Sequence, residues 1–382
     1  LNSGHDNTNE LTSNEVLENL GDSISYTHDE KLLSNLNLYI ITVPTPINKD
    51  KSPNLTPVIS ATTTVSKYIN KEDIVVFEST FYPGLTEEIC IPILEQGSGL
   101  KINDDFMVGY SPERINPGDK HHTITKIKKV VSGSSKEALR KITEVYEMII
   151  DAGIYEAESI KIAEAAKVIE NTQRDINIAF VNELTIIFDK MNIDTQSVLR
   201  AAGTKWNFLN FSPGLVGGHC IGVDPYYLSS KSEKIGYKPK TILAGRNIND
   251  SMPQFIVNKI IRNISKNKKK LNQYKALILG ATFKENCPDV RNSKVKDIYL
   301  ELLDLGIETH VFDPVAEAKT LKEFYQNNTI EDLKTESKYD IIVLAVSHDE
   351  FSELNIDRYL NKKGVVFDVK SFFPIEKGYL RL

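Results

Sequence analysis

Nowhere in these 382 residues does an apolar run approach the roughly 18–20 residues that span a bilayer. The N-terminus also lacks the charged and apolar regions of a signal peptide. Cysteine is scarce, with only Cys90, Cys220 and Cys287 far apart in a long chain, which excludes a disulfide framework. That usage suits a reducing compartment, where an odd thiol can serve as a nucleophile, and the expected setting is the cytoplasm. Positive charge is not in excess: 46 Lys and Arg face 52 Asp and Glu, for a net charge of −6, so nothing favours nucleic acid. The one basic run, Lys266-Asn-Lys-Lys-Lys270, falls between two predicted elements and reads as a solvated loop rather than a patch. No Gly-x-Gly-x-x-Gly occurs anywhere, and there is no solenoid repeat or low-complexity segment.

What is present is soluble globular chemistry, 41% hydrophobic and 26% charged, in a length that accommodates two or three domains. In the first third, short apolar runs alternate with helical ones. Leu38–Val43, Ile74–Phe77 and Phe106–Tyr110 read as buried strands, and Val58–Ile69 has helical spacing. Continuous apolar strands separated by helices predict a parallel sheet covered on both faces. Ligands bind beyond the carboxyl ends of such strands, where Thr45, Thr80 and Glu113 sit.

From Glu156 to Ile193 there is neither Gly nor Pro, which predicts a helix on the order of 50 Å, long enough to bridge two domains. More helix, a Gly-rich loop at Gly214–Gly222, and another helix to about Lys266 follow. The last third restarts the α/β pattern, with strands expected at Lys275–Gly280, Glu308–Phe312, Ile341–Val346 and Val365–Val369 and a helix at Lys294–Leu305. The fold class is therefore α/β, then all-α, then α/β. Two Rossmann-like parallel-sheet domains (1–155 and 266–382) are expected, joined by a central helical domain (156–265).

Cys220 lies among Gly217, Gly218 and Gly222, where backbone approaches a substrate closely, with Asp224 four residues on. A free cysteine is usually a small buried hydrophobe, and a thiolate is a good nucleophile once its proton is taken; both readings stand. Adjacent His219 and Cys220 with no second Cys/His pair make a poor metal pattern, so no metal is expected. Lys167 and Asn171 share one face of the long helix beside small Ala163 and Ala166. They read either as a desolvated relay or as a snorkelling lysine and a surface amide. Gly280-Ala-Thr-Phe-Lys284, followed by Glu285 to Arg291, places a lysine and an arginine before a helix N-terminus. That suits a diphosphate and equally an ordinary charged loop. Cys90 and Cys287 read as structural. Trp206, Tyr226 and Tyr227 stack on a ligand or pack internally.

Six blocks occur together and in order: Val43-Pro-Thr-Pro46, Glu78-Ser-Thr-Phe-Tyr-Pro-Gly84, Ser111-Pro-Glu-Arg-Ile-Asn-Pro-Gly118, Ala163-Glu-Ala-Ala-Lys-Val-Ile-Glu-Asn171, Gly217-Gly-His-Cys-Ile-Gly-Val-Asp224, and Phe283-Lys284 to Arg291. Through them the chain resembles the UDP-glucose/GDP-mannose dehydrogenase family over essentially its whole length. The resemblance implies an NAD-binding Rossmann domain, a central helical dimerisation domain giving a homodimer or higher homo-oligomer, and a C-terminal domain that holds UDP. It implies oxidation of C6 of a UDP-sugar twice, with Cys220 capturing the aldehyde and a thioester then hydrolysed. Lys167 and Asn171 would hold the oxyanion, Asp224 would move protons with Lys167, Thr80 would position water, and Glu113 would assist hydrolysis. Pro44, Thr45, Thr80 and Arg291 would lie by the cofactor. Substrate contacts would fall to Arg114, Phe211, Gly214 and Gly217, with Phe283 and Lys284 on the UDP-sugar beside Lys167 and Asn171.

Two departures from the family pattern stand out. UDP-glucose dehydrogenases carry a second glutamate where this chain has Pro117, and Pro-Lys where it has Gly222-Val223. The forms present look like the branch acting on UDP-2-acetamido sugars in capsule, O-antigen or Vi-type polysaccharide synthesis. UDP-N-acetylglucosamine or its galactosamine epimer leads, UDP-N-acetylmannosamine follows, and UDP-glucose comes last. The missing glycine fingerprint, with the Gly4–Glu10 stretch normally following the second strand, predicts an N-terminal Rossmann domain truncated by its first strand, phosphate loop and second strand. A non-catalytic UDP-sugar-binding fragment is the competing expectation. A cofactor-free cysteine hydrolase fails for want of a histidine base.

Overall fold

The computed structural model describes residues 12–18, 24–115, 121–266, 269–334 and 337–382. The Gly4–Glu10 stretch, Pro117, Gly118 and part of the basic run at 266–270 lie outside the described residues. The chain forms two compact units, 1–170 with 226–237, and 171–225 with 238–382, so residues of the expected helical domain fall in both.

The first unit contains α1 (Ser13–Glu18), β1 (Leu38–Ile41), α2 (Thr56–Ser66), β2 (Ile74–Phe77), α3 (Ile91–Ser98), β3 (Met107–Tyr110), β4 (Lys129–Gly133), α4 (Lys136–Glu147) and β5 (Ile154–Glu156). The strands pair in the order β1-β2-β3-β4-β5. All four side chains of β2 are buried, as its unbroken apolar run requires of a strand covered on both faces. β1, β2 and β3 run parallel, in register Leu38↔Ile74↔Met107. The parallel expectation needs correcting at one place, because β3 and β4 are antiparallel through Gly109↔Gly133. A parallel return takes a crossover helix, and the described part of the 111–128 connection holds only a 3₁₀ turn at Ile124–Lys126. Ile74, Val76, Met107 and Val131 pack against Ile142 and Tyr146 of α4. Ser135 caps α4, its side chain accepting the Ala138 N–H.

The long helix α5 runs from Ile160 to Met191 rather than from Glu156. Glu156 is the last residue of β5, and Ser159 Oγ accepts the Ile162 N–H at 3.3 Å where the helix opens. α6 (Thr195–Ala202), α7 (Asp224–Lys234) and α8 (Lys240–Ile264) follow. The single helix expected after the Gly-rich loop is thus two. The break falls at Gly236, whose φ of +88° is left-handed, and at Pro239, which precedes α8.

The second unit's sheet is parallel throughout, in the order β10-β9-β8-β6-β7. It is built from β6 (Lys275–Leu279), β7 (Glu308–Phe312), β8 (Tyr339–Leu344), β9 (Leu360–Asp368) and β10 (Leu380–Arg381), with α9 (Val295–Asp304) and α10 (Ala318–Tyr325). β6 is central and buried on both faces. Ala276 and Ile278 join a cluster with Met252, Ile256 and Ile260 of α8 and Ile298 and Leu302 of α9. Leu277 and Leu279 join the opposite cluster with Phe351, Ile356 and Tyr359.

β6 ends on Gly280, at φ +84°, where a Cβ would stand 2.6 Å from Val346 Cβ and 2.8 Å from Val346 O. Gly280→Ala is therefore expected to destabilise the protein by about 2–4 kcal/mol, strain and overpacking together. Chemical denaturation reads this directly, and an unchanged midpoint would contradict the close approach.

Candidate active site

The Gly-rich loop is held at its start by a buried amide. Asn182 of α5 donates from Nδ2 to Gly214 O at 3.0 Å and accepts the Gly214 N–H on Oδ1 at 2.9 Å. Farther along, Gly217 and Gly218 pass against the segment after β6. A Cβ on Gly217 would lie 2.5 Å from Asn292 O, and one on Gly218, at φ +83°, would lie 2.8 Å from the Phe283 ring. No side chain fits there. Cys220 then turns outward, exposed, and its carbonyl accepts the Val223 and Asp224 N–H groups at 3.0 and 2.8 Å, closing the turn into α7. Asp224 is fully buried, and its Oδ2 accepts from Asn171 Nδ2 at 2.6 Å. The structure thus brings Asn171, Asp224 and the Cys220 turn together, with His219 beside them.

The 280–293 segment forms a cleft lined by Phe283, Lys284, Ser293, Lys294, Gly217 and Lys370. Three of these are cations at the carboxyl edge of a parallel sheet, a setting that suits a diphosphate. Lys370 pairs with Glu285 at 3.1 Å and Lys294 with Asp297 at 3.0 Å, while Arg291 pairs with Asp289 through Nε to Oδ1 at 3.0 Å and Nη2 to Oδ2 at 2.7 Å. Burial raises the Asp289 carboxyl, but hydrogen bonds from His219 and Arg291 outweigh it and hold the group well below the usual carboxylate range. Beneath the cleft, Asp313 at the end of β7 accepts from Ala281 N at 2.6 Å, and buried His348 lies 3.1 Å from the same carboxylate. His348 Nδ1 also accepts the Asn286 N–H at 3.0 Å. Phe211 is half-buried and Gly214 buried, both at the start of the same loop.

In the first unit, Thr45 and Thr80 are half-buried and Pro44 is exposed, beyond the ends of β1 and β2. Ser79 Oγ donates to Val43 O at 2.6 Å and ties those two strand ends together. Glu113 Oε2 accepts from Lys129 Nζ at 2.7 Å, while Arg114 reaches Glu170 at 2.9 Å and also the Lys128 carbonyl. Lys167 is 6% exposed, so the snorkelling alternative does not hold. Lys167 and Asn171 lie one turn apart on α5.

Three family models match the chain: the UDP-glucose/GDP-mannose dehydrogenase family NAD binding domain over residues 1–150, its central domain over 161–251, and its UDP binding domain over 277–374. This chain belongs to the UDP-glucose/GDP-mannose dehydrogenase family. It is an NAD-dependent nucleotide-sugar dehydrogenase. The NAD-binding match begins at residue 1, so the expected truncation of that domain finds no support. The UDP-binding match contains the three lysines of the cleft, Lys284, Lys294 and Lys370. Among curated relatives, UDP-N-acetyl-D-glucosamine 6-dehydrogenase of Salmonella typhi is 51% identical over the whole of this chain and 90% of its own length. Protein CapL of Staphylococcus aureus is also 51% identical, over 97% of this chain and 87% of its own. Among solved structures, UDP-D-ManNAc dehydrogenase of Pyrococcus horikoshii superposes with a TM-score of 0.85 at 27% identity, covering 97% of this chain and 85% of that one. No helix among the described residues is long and apolar enough to cross a membrane.

Sequence reasoning missed three residues of this dehydrogenase that hold the site in shape, Asp289, His348 and Glu164, and weighed His219 only as a metal ligand. Only Glu164 left a trace, since it sits one turn before Lys167 and Val168 on the stripe that becomes buried. Its carboxylate accepts from Gly84 N at 2.5 Å, Thr86 N at 2.9 Å and Thr86 Oγ1 at 2.7 Å, fixing the turn four residues after Thr80. Burial pushes the Glu164 carboxyl up to about 7, against the hydrogen bonds from Thr86 and Gly84 that favour its charged form. The folded value lies above the unfolded one, so this stabilisation is complete below the ordinary glutamate range and is lost as pH rises through about 7. Unfolding midpoints measured across that window should fall in the wild type and fall less in Glu164→Gln. Parallel profiles would refute the assignment.

Proposed function

We propose that this chain oxidises C6 of a UDP-2-acetamido-2-deoxyhexose, with UDP-N-acetylglucosamine as the leading substrate, to the uronic acid. The substrate preference rests on the 51% identity to the Salmonella typhi UDP-N-acetyl-D-glucosamine 6-dehydrogenase across the whole chain. The observation that carries the mechanism is the exposed Cys220 thiol on a turn whose next helix opens with Asp224, hydrogen-bonded to Asn171. Residues 1–155 serve the cofactor, 156–265 assembly and catalysis, and 266–382 the UDP group, in a cytoplasmic setting.

The carboxyl edge of β1 and β2 fits the cofactor, offering Thr45, Thr80 and Pro44 on strand ends tied by the Ser79–Val43 hydrogen bond. When bound, NAD takes up the hydride lost in each oxidation. The chain's own residues do the rest. Thr80 positions water near the substrate hydroxyl, and loss of hydride and proton leaves an aldehyde. The Cys220 thiolate adds to that carbonyl carbon, and its electron pair forms the C–S bond while oxygen gains the charge. Lys167 and Asn171 stabilise that oxyanion by charge and hydrogen bonding. Loss of a second hydride from the thiohemiacetal gives a thioester. Water, assisted by Glu113 and with Asp224 taking a proton, cleaves the C–S bond, releasing carboxylate and thiol. Phe283, Lys284, Phe211 and the Gly214–Gly217 backbone hold the nucleotide and sugar, Arg114 contacts the sugar, and Arg291 serves cofactor binding.

NADH release per sugar consumed tests this reading. The wild type is expected to yield two NADH for each UDP-N-acetylglucosamine, and Cys220→Ser to lose at least about a thousand-fold in turnover. One NADH per sugar with free aldehyde accumulating would overturn the covalent route.

Assembly is proposed from α5. Ile162, Ile169, Phe180, Ile187 and Met191 are all exposed, and at about 100° per residue they fall within a stripe about 40° wide. A straight apolar stripe along a helix of 32 residues matches a second copy of itself in a two-fold dimer. The wild type is expected to sediment as a dimer and Phe180→Glu as a monomer. A monomeric wild type at micromolar concentration would refute this.

A further inference from the structure

His219 stands beside the thiol and has no role in the chemistry above. Its ring is held from both sides by the segment that lines the nucleotide cleft. Nε2 lies 3.1 Å from Asp289 Oδ2, and Nδ1 lies 3.3 Å from Asn292 Nδ2. An amide nitrogen can only donate, so Nδ1 accepts from it and Nε2–H donates to the carboxylate. Next to it, Gly218 N–H donates to Asn292 O at 3.2 Å, and the imidazole meets the edge of the Phe283 ring with centroids 6.1 Å apart.

The same segment forms the cleft wall. Phe283 and Ser293 line it, Phe283 N–H donates to Asp289 O at 3.1 Å, and Ser293 follows Asn292 directly. The Asp289 carboxylate is shared between His219 and Arg291, so any movement of this segment would change the ring's hydrogen bonds. Cys220 is the next residue along the chain.

We propose that His219 is a positioning residue that couples occupancy of the uridine-nucleotide cleft to the reactivity of the Cys220 thiol. The nucleophile is thereby set when nucleotide is in place. This rests on the reading of the cleft as the UDP site, and the experiment separates the two.

The rate of iodoacetamide alkylation at Cys220 is measured on the full chain with and without saturating UDP. Peptide mass spectrometry distinguishes Cys220 from Cys287 and the buried Cys90. UDP lacks the sugar that reacts at the thiol, and its binding is followed separately by calorimetry. In the wild type, UDP is expected to change the alkylation rate by about five-fold or more. His219→Ala is expected to bind UDP and alkylate at one rate with or without it. His219→Gln, which retains a donor for Asp289, is expected to restore part of the effect. UDP binding with no rate change in the wild type, or the full change surviving in His219→Ala, overturns the coupling alone. No UDP binding by the wild type overturns the cleft assignment and the coupling with it.

Discussion

The buried face of α5 is polar, and the need to satisfy each of its groups organises much of the molecule. Glu164, Lys167, Asn171, Asp175 and Asn182 are all shielded from water, while Ile162, Ile169, Phe180, Ile187 and Met191 face outward. An ordinary surface helix is the reverse. A buried polar group without a partner costs on the order of 1–3 kcal/mol, so each of these demands a specific neighbour. Glu164 takes the Gly84–Thr86 turn, Asn171 takes Asp224, and Asn182 takes the Gly214 backbone. Asp175 takes Arg246 at 2.6 Å and Asn249 at 2.7 Å. These turns and loops are tethered to α5 because that helix has polar groups to place.

The UDP-binding domain uses its acids inwardly in the same way. In a dinucleotide-binding domain, the acidic residue ending the second strand reaches the ribose. Here Asp313, ending β7, accepts the Ala281 and Thr282 amides of the turn after β6 and pairs with buried His348. Its Oδ1 also accepts the Val315 and Ala316 N–H groups. With both oxygens occupied, Asp313 shapes the turn beneath the cleft that Lys284, Lys294 and Lys370 line. The turn differs from a phosphate-binding fingerprint in sequence, and it differs in what its acid does.

The elements read correctly in advance were those with strong local signals. β2 and β6 are unbroken apolar runs because both faces are covered, and such runs show in any window. β4 and β5 did not show: β4 opens on a lysine whose charge is met at 2.7 Å by Glu113 and at 3.1 Å by Glu78, and β5 exposes Tyr155 and Glu156. The break between α7 and α8 was signalled only by Gly236 and Pro239 within a stretch flanked by helix-forming residues, and the left-handed backbone of Gly236 makes it plain. Cys220, Asn171 and Asp224 were legible as candidates through the block pattern. The pairs His219–Asp289 and Asp313–His348 are separated by 70 and 35 residues, and no periodicity reports such pairs.

By itself the sequence determined the α/β, helical, α/β order, the family, and which residues are candidates for the chemistry. Those depend on local hydrophobic period and on motifs contiguous in the chain. Tertiary structure alone decided that the third and fourth strands run antiparallel. It also decided that α5 turns its polar stripe inward, and that the Cys220 turn is fastened to the wall of the nucleotide cleft. These depend on which distant groups approach within hydrogen-bonding distance. In particular, they depend on there being no room for a Cβ at Gly217 and Gly218.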